Sequence, residues 1–555
     1  MSLGDARAKL LRLVPQRADL AKMTHAPRHD LVAGVTVGLV ALPLALGFGI
    51  SSGMGASAGL ITAVVAGFIA AVFGGSNLQV SGPTGAMTVV LIPIVAAHGV
   101  AGVFVVGVMA GLMLLAMATA GLGRYARHVP LPVVEGFTLG IALVIGLQQL
   151  PGALGVKARG TSVLAQAGSA ASSWLARPDW APLLMTAGVV IAMLVVARVR
   201  PAWPGSLLAV ALATGVAQLA GLQVGRVGTL PDSLPAPRLP SVPWADLGSL
   251  ILPALAVALL AALESLLSAT VADAMSISER HDPDRELFGQ GLANLVGPLF
   301  GGMPATGAIA RTAVNVRSGG RSRLAAITHS VFLLAVILVL GPFISRVPIA
   351  ALAGVLVATC IRMVEIRSLR SLWRSGRGEA GVLVATVAAT VVLDLVEAVL
   401  LGVVAAGALA LRRAAKAVTV EQVPLQDGDH EDEEHALLDE HIVAYRIDGP
   451  LFFAGAHQAL LGLASLSDVQ VVILRLSRIS SIDATGAAVL RDTIIQLERR
   501  GIRVLLSGVP AHHSLILGTL GVYDSLAHER HVFATTPDAI AHARMHVARV
   551  PHQLA

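Results

Sequence analysis

Cysteine is nearly absent from this sequence: Cys360 is the single one in 555 residues, which excludes any disulfide within the chain and any cysteine-based metal or redox pair. Charge is scarce too. Asp, Glu, Lys and Arg make up 13% of the chain, against about 25% in an ordinary soluble domain. No Gly-x-x-x-x-Gly-Lys-Ser/Thr loop occurs, so no ATP engine of that kind is present. No Ser/His/Asp arrangement stands out either. The histidine pairs His25/His29 and His430/His435 lie beside Pro27 and in an acidic run, as solvated surface residues do. The sequence therefore reads as a non-enzyme, with no cofactor and no metal site.

What is abundant is apolar. Hydrophobic residues reach 55% and the mean hydropathy is +0.76, which places most of the chain in lipid. The formal charge of +6 comes from basic residues in short clusters between apolar segments, a pattern that fits membrane topology and not nucleic acid.

Apolar segments long enough for roughly 30 Å of hydrocarbon recur from Leu31 to Leu411. About fourteen are expected, near positions 31, 57, 84, 100, 131, 183, 205, 248, 286, 306, 324, 348, 380 and 396, some too short to cross alone. The fold class is an α-helical polytopic membrane protein with a small C-terminal α/β domain. Arg124 and Arg127 follow the fourth segment, Arg198 and Arg200 the sixth, Arg317, Arg321 and Arg323 the tenth, and Arg362, Arg367, Arg370, Arg374 and Arg377 the twelfth. All are even-numbered exits, so both termini are expected in the cytoplasm. Residues 1–30, basic but without a compact apolar core or cleavage site, read as a cytoplasmic arm, and 31–413 as the membrane domain. Residues 414–439 form an acidic linker around Asp427–Glu434, and 440–555 alternate strand-like and helix-like runs.

Two segments open alike. Gln79 to Met87 contains Ser81-Gly82-Pro83-Thr84-Gly85-Ala86, and Gly301 to Ile309 contains Met303-Pro304-Ala305-Thr306-Gly307-Ala308. Both are Gly/Pro-interrupted helix starts, third in each half of seven segments, as an inverted repeat would place them. A helix broken at midplane leaves free N–H groups and a positive dipole end, so two that face each other attract an anion. Gly85, Ala86, Gly307 and Ala308 have little side chain to bar a solute from that backbone. Thr485-Gly486-Ala487 repeats the tripeptide in the soluble domain, so place within the repeat carries the argument. Gly34-xxx-Gly38 and Gly107-xxx-Gly111 read as helix packing.

Glu264 interrupts the apolar run Leu250 to Val271, where a bare carboxylate is costly, and reads as a proton site. Arg311, one turn past Gly307, adds positive field to an anion pocket. Asp394 and Glu397 read as interfacial turn residues. Plainer alternatives stay open: glycine packing for the two starts, a structural carboxyl bonded to Ser265 or Ser268 for Glu264, and a cytoplasmic anchor for Arg311.

Several stretches resemble the sulfate permease (SulP) family of anion transporters. They are Ala41-Leu42-Pro43, Val80-Ser81-Gly82-Pro83-Thr84, Glu264-Ser265-Leu266-Leu267 and Ala308-Ile309-Ala310-Arg311-Thr312-Ala313-Val314-Asn315. Ile473-Leu474-Arg475-Leu476 with Ile482-Asp483-Ala484-Thr485-Gly486 resembles the STAS domain such transporters carry. The resemblance implies two inverted seven-helix repeats, divided into core and gate domains, commonly as a homodimer. It implies an anion contacted by Thr84, Gly85 and Ala86 from one side and by Gly307 and Ala308 from the other, with Arg311 supplying charge. Sodium-coupled bicarbonate members use an Asp and two Thr for the cation; Glu264, Ser268 and Ile309 stand in those places. Ile309 offers no oxygen, which favours a proton, held by Glu264 with Ser268 beside it. Thr485 stands near the acceptor position of a loop phosphorylated in anti-sigma-factor antagonists, a possible regulatory site, although Asp483 or Thr485 as a simple helix cap explains the same residues.

The expectation is a multi-pass protein of the cell membrane that takes up a small anion, sulfate-class, in symport with a proton. C4-dicarboxylate or bicarbonate transport, a passive anion channel and a membrane-tethered signalling module are the alternatives.

Overall fold

The computed structural model describes residues 13–124, 130–160, 162–200, 203–231, 233–238, 247–276, 280–393, 401–402, 404–409, 419–422, 437, 440–451, 469–528 and 530–548. They fall into two compact units, Met1–Val403 and Val404–Ala555. Arg7, Lys9, Arg12, Arg127, Asp394, Glu397 and the acidic run 427–434 lie outside the described residues.

In the first unit a short helix, α1 (Arg17–Met23), precedes α2 (Pro27–Ser51) and α3 (Ala56–Phe73), the latter with a π turn at Thr62–Ala66. The two-residue strand β1 (Ser81–Gly82) leads into α4 (Gly85–Ala120), which Gly99, at φ +66°, breaks into arms 85–98 and 100–120. Then come α5 (Leu131–Leu154), α6 (Val163–Ala176), α7 (Trp180–Val199) and α8 (Gly205–Leu219). The second half has α9 (Leu247–Met275), α10 (Pro283–Val296), β2 (Thr306–Gly307), α11 (Ile309–Arg317), α12 (Arg323–Ile344), α13 (Ile349–Met363), α14 (Ile366–Ser375) and α15 (Arg377–Val392). Every expected segment from the first to the thirteenth has a helix at its place. The fourteenth, near 396, lies outside the described residues, with helical turns at 401–402 and 404–409.

Two helices depart from the sequence reading. α6 occupies a stretch expected as loop: Ser162 caps it, its Oγ accepting from the Ala165 N–H at 3.2 Å, and its alanines favour helix. α14 occupies the basic stretch after the twelfth segment, which the sequence marks only by its arginines as an even-numbered exit.

Connections join on two sides. Gly123 N–H, after α4, donates to Asp284 Oδ1 at the start of α10, and Gly75 N–H, after α3, donates to Glu286 of the same helix. Asp30 at the start of α2 accepts from the N–H groups of Arg321 and Ser322 before α12. Asp19 of α1 accepts from Arg285 Nη2 at 2.7 Å and lies 3.8 Å from Arg323 Nε. The ends of even-numbered segments thus meet one another and the N-terminal arm. At the opposite face Val227 N–H donates to Val347 O and Ile349 N–H to Gly225 O. Arg323, counted above as a topology charge, is buried and spends its donors on Asn77 and the carbonyls of Ala71 and Val72.

Packing follows two bundles. α4 rests on α9 and α10, α2 on α12, and α3 on α10; separately, α5 rests on α15 and α13, and α7 on α13. α10 is the polar member of the first bundle, yet its Glu286, Gln290 and Asn294 are buried.

The second unit holds a five-stranded sheet in the order β3 (Thr419–Gln422), β4 (Ile442–Leu451), β5 (Val471–Ile482), β6 (Arg503–Ser507), β7 (Val532–Phe533). β3 runs antiparallel to β4 and the other pairs are parallel. Parallel strands buried on both faces read as apolar runs, which is how 471–474 and 504–506 stand in the sequence. α16 (Ala484–Arg499) packs Leu490, Ile494 and Leu497 into one apolar layer, and α18 (Thr536–Val547) brings Ala539 and Ala543 to another. α17 (Ala511–Thr519) completes the unit.

Candidate functional site

β1 and β2 cross antiparallel, pairing Ser81 with Gly307 and Gly82 with Thr306, and the Ala308 N–H extends the ladder to Val80 O at 2.9 Å. Two chain reversals from opposite halves are thereby tied at the point where α4 and α11 begin. The starts are not equivalent. Thr84 caps α4, its Oγ1 accepting from the Met87 N–H at 3.4 Å, so Gly85 and Ala86 form the first turn. Thr306 and Gly307 belong to β2, and α11 begins at Ile309 with Ala308 as its cap. The expected second helix start therefore lies later in the chain, because strand pairing claims the backbone groups that a helical turn would use. Among the described residues no acceptor takes the N–H groups of Gly85, Ala86, Ile309 or Ala310. These are the orphan donors of two helix N-termini.

α9 crosses behind this junction and delivers Glu264. Its Oε2 accepts from Thr84 Oγ1 and from Thr306 Oγ1, each at 2.8 Å. The next residue, Ser265, accepts from the Gly307 N–H at 2.9 Å. Ser268, one turn on, is hydrogen-bonded to Thr312 at 2.9 Å, and Thr312 in turn accepts from the Val80 N–H at 3.1 Å. The two serines thus hold the crossed strands and α11, and neither bonds Glu264. Both threonine donors of Glu264 come from the paired tripeptides. Thr306 stands in the sequence only as part of the second helix start, and its bond to Glu264 is what the match to Thr84 could have signalled.

Arg311 is buried at 2% exposure, and its Nη2 donates to Pro83 O. It is therefore no interfacial anchor. Its Nη1 has no partner among the described residues and the side chain forms no ion pair there, although it lies near enough to Glu264 for each to feel the other's charge. A buried cation without a bonded counter-ion is expensive unless an anion completes its shell. Gly82 permits the approach: at φ +151° it sits where a Cβ would stand 2.7 Å from Arg311 Nη1.

Exposure is graded across the site. Thr84, Ala86, Thr306, Gly307 and Ala308 are buried, Glu264 and Ile309 are half-buried, and Ala310 is exposed.

α10 carries the scaffold that sequence reasoning missed. Glu286, Gln290 and Asn294 recur every fourth residue and so share a face. Glu286 accepts from Gln79 Nε2 and Gln290 Nε2 at 2.9 Å each and from the Gly75 and Ser76 N–H groups. Gln290 Nε2 also reaches Ser81 Oγ at 2.7 Å, while Asn294 bonds both the N–H and the carbonyl of Ala305. Three polar side chains at that spacing inside a membrane segment were the signal. Buried groups of this kind need partners, and besides one another these three find them in the chain reversals at Gly75–Ser81 and Ala305.

In the second unit Asp483 caps α16, its Oδ1 accepting from the Gly486 N–H at 2.7 Å. Thr485 takes no part in the cap and is exposed on the first turn.

Residues 28–386 match the family model described as "Sulfate permease family", and residues 436–539 that described as "STAS domain". The chain is 35% identical over 528 residues to YvdB of Bacillus subtilis, which carries a provisional sulfate-transporter name, covering 91% of this chain and 96% of that one. It is 31% identical over 512 residues to the bicarbonate transporter BicA of Synechocystis, covering 89% and 90%. Among solved structures, murine Slc26a9, described as an anion transporter in the inward-facing state, matches at a TM-score of 0.83 with 18% identity, covering 97% and 95%. The transmembrane domain of a cyanobacterial BicA matches at 0.63 with 33% identity, over 68% of this chain and 98% of that one. The fold is thus two inverted seven-helix repeats with a C-terminal STAS domain.

Proposed function

The chain belongs to the sulfate permease family of anion transporters, and from that premise we propose that it carries a small, sulfate-class anion in symport with a proton. It is a multi-pass membrane transporter and not an enzyme. The observation that supports the reading best is Arg311, a buried cation whose Nη1 is unpartnered among the described residues, beside the crossed strands and within reach of Glu264's charge.

The physics of coupling follows from that pair. With Glu264 ionised, the two charges offset each other and a further negative charge is poorly received. A proton on Glu264 leaves Arg311 to the anion, so proton and anion bind together, and by reciprocity the bound anion holds the proton. The free N–H groups of Gly85, Ala86, Ile309 and Ala310 supply the neutral donors that such anions favour. Thr84, Gly85 and Ala86 would contact the anion from one side and Gly307 and Ala308 from the other, with one bundle moving past the other to alternate access. Ser268 supports this site through Thr312. Thr485, exposed on α16, stands as a regulatory position. The family likeness supports a homodimer in the cell membrane, and the joined even-numbered exits with their arginines support cytoplasmic termini.

Bicarbonate is the second reading, favoured by the likeness to BicA and opposed by Ile309, which brings no oxygen to the place of a cation ligand. The test is reconstitution of the purified chain in liposomes with labelled sulfate, bicarbonate and fumarate under an imposed pH gradient. Sulfate uptake accelerated by external acid is the expected result. Anion current without proton movement would make the chain a channel, and indifference of all three anions to pH would overturn the coupling.

A further inference from the structure

α13 ends at Met363 and α15 begins at Arg377, and between these two membrane helices the chain runs as α14, Ile366–Ser375. A linking helix with separate basic and apolar faces is suited to lie along the bilayer surface. Its sequence, IRSLRSLWRS, divides into three faces. Ser368 and Leu372 turn inward: Leu372 is buried and Ser368 Oγ donates to Glu135 Oε1 at 2.7 Å. Ile366 and Trp373 are 64% exposed, apolar and about two turns apart, as residues at the acyl boundary are. Arg367, Arg370 and Arg374 fall at i, i+3 and i+7 and share the remaining face.

Among the described residues none of these arginines, nor Arg362 just before them, takes part in an ion pair. Arg367, Arg370 and Arg374 line an open surface recess of about 490 Å³ with Ile366 and Ser371, all on this one helix. A topology signal requires positive charge but no helical spacing. The spacing here gathers planar guanidinium forks, which bind phosphate oxygens in pairs, directly beside exposed apolar side chains.

We propose that this face of α14 holds the phosphate headgroup of an anionic phospholipid, with the lipid's acyl chains against Ile366 and Trp373. The lipid completes the charge of the three arginines and fixes α14 at the height where the second bundle meets the membrane surface.

The test is native mass spectrometry of the purified full-length chain titrated with phosphatidylglycerol, phosphatidylcholine or inorganic phosphate. Phosphatidylglycerol should bind where equal phosphatidylcholine does not, and the triple variant Arg367→Gln/Arg370→Gln/Arg374→Gln, changed only at exposed positions, should lower its occupancy about 10-fold or more. Equal binding of both lipids, or unchanged occupancy in the variant, would overturn the proposal. So would displacement of the lipid by millimolar phosphate, which would make this a site for the free anion.

Discussion

Thr84 Oγ1 and Thr306 Oγ1, from opposite halves of the chain, each donate to the same carboxylate oxygen of Glu264, both at 2.8 Å. The protonation of one side chain is thereby felt at both chain reversals. Hydrogen bonds to a charged acceptor contribute about 1.5–3 kcal/mol each, so Thr84→Val and Thr306→Val should each slow proton-driven uptake about 10-fold or more. Because the donors share one acceptor, the double variant should fall short of the product of the single effects, with a coupling of about 0.5–3 kcal/mol. Initial uptake rates of the four proteins measure this. Additivity within about 0.3 kcal/mol would show that the two threonines act independently.

Gly82→Ala tests the seat of Arg311. The added Cβ would meet Nη1 at 2.7 Å and Ala63 Cα at 3.3 Å, at a φ of +151°. Gly319, at φ +87° with nothing within 4 Å of its Cβ position, supplies the control. Both substitutions should cost about 1–3 kcal/mol through backbone strain. Only Gly82→Ala should also weaken anion binding, by about 10-fold. Equal affinity in the two variants, read by titration of the purified proteins, would separate Arg311 from the anion.

The N-terminal arm gives a pH prediction. Burial alone would raise the pKa of Asp19, but the hydrogen bond from Arg285, the backbone of Gln16 and the charge of Arg323 outweigh it and hold the carboxyl below its ordinary 3.8. A depressed pKa contributes stability that is fully present above the unfolded value and is lost as pH falls through the folded one. Protection of α1 from proteolysis should therefore be constant at neutral pH and begin to fall only below about pH 4. Asp19→Asn should expose α1 at every pH and flatten that dependence. An arm equally protected in the variant would contradict the role given to Asp19 and Arg285.

Much of this was legible from residue order. Gly82-Pro83 directly before Gly85 disfavours a continuous helix, so the break before α4 is readable in the sequence, and a carboxylate in the run Leu250 to Val271 singles out Glu264. The partners of Glu264 were not legible. Ser265 and Ser268 were the near candidates, but the bonds go to Thr84 and Thr306, because strand pairing across the two halves brings those residues closer than helical spacing does. The same long-range pairing moved the start of α11 to Ile309. Glu286, Gln290 and Asn294 escaped notice because a polar helix looks like surface until its burial is known. The helical form of α14 is hidden in the sequence because its arginines match the topology pattern equally well.

The most direct test of the coupling is Glu264→Gln, because glutamine keeps an oxygen for Thr84 and Thr306 but cannot take up the coupling proton. In liposomes the variant should lose pH-gradient-driven uptake of labelled anion while retaining anion exchange at equal pH on both sides. Gradient-driven uptake at the rate of the unaltered protein would contradict the assignment of Glu264 as the proton carrier.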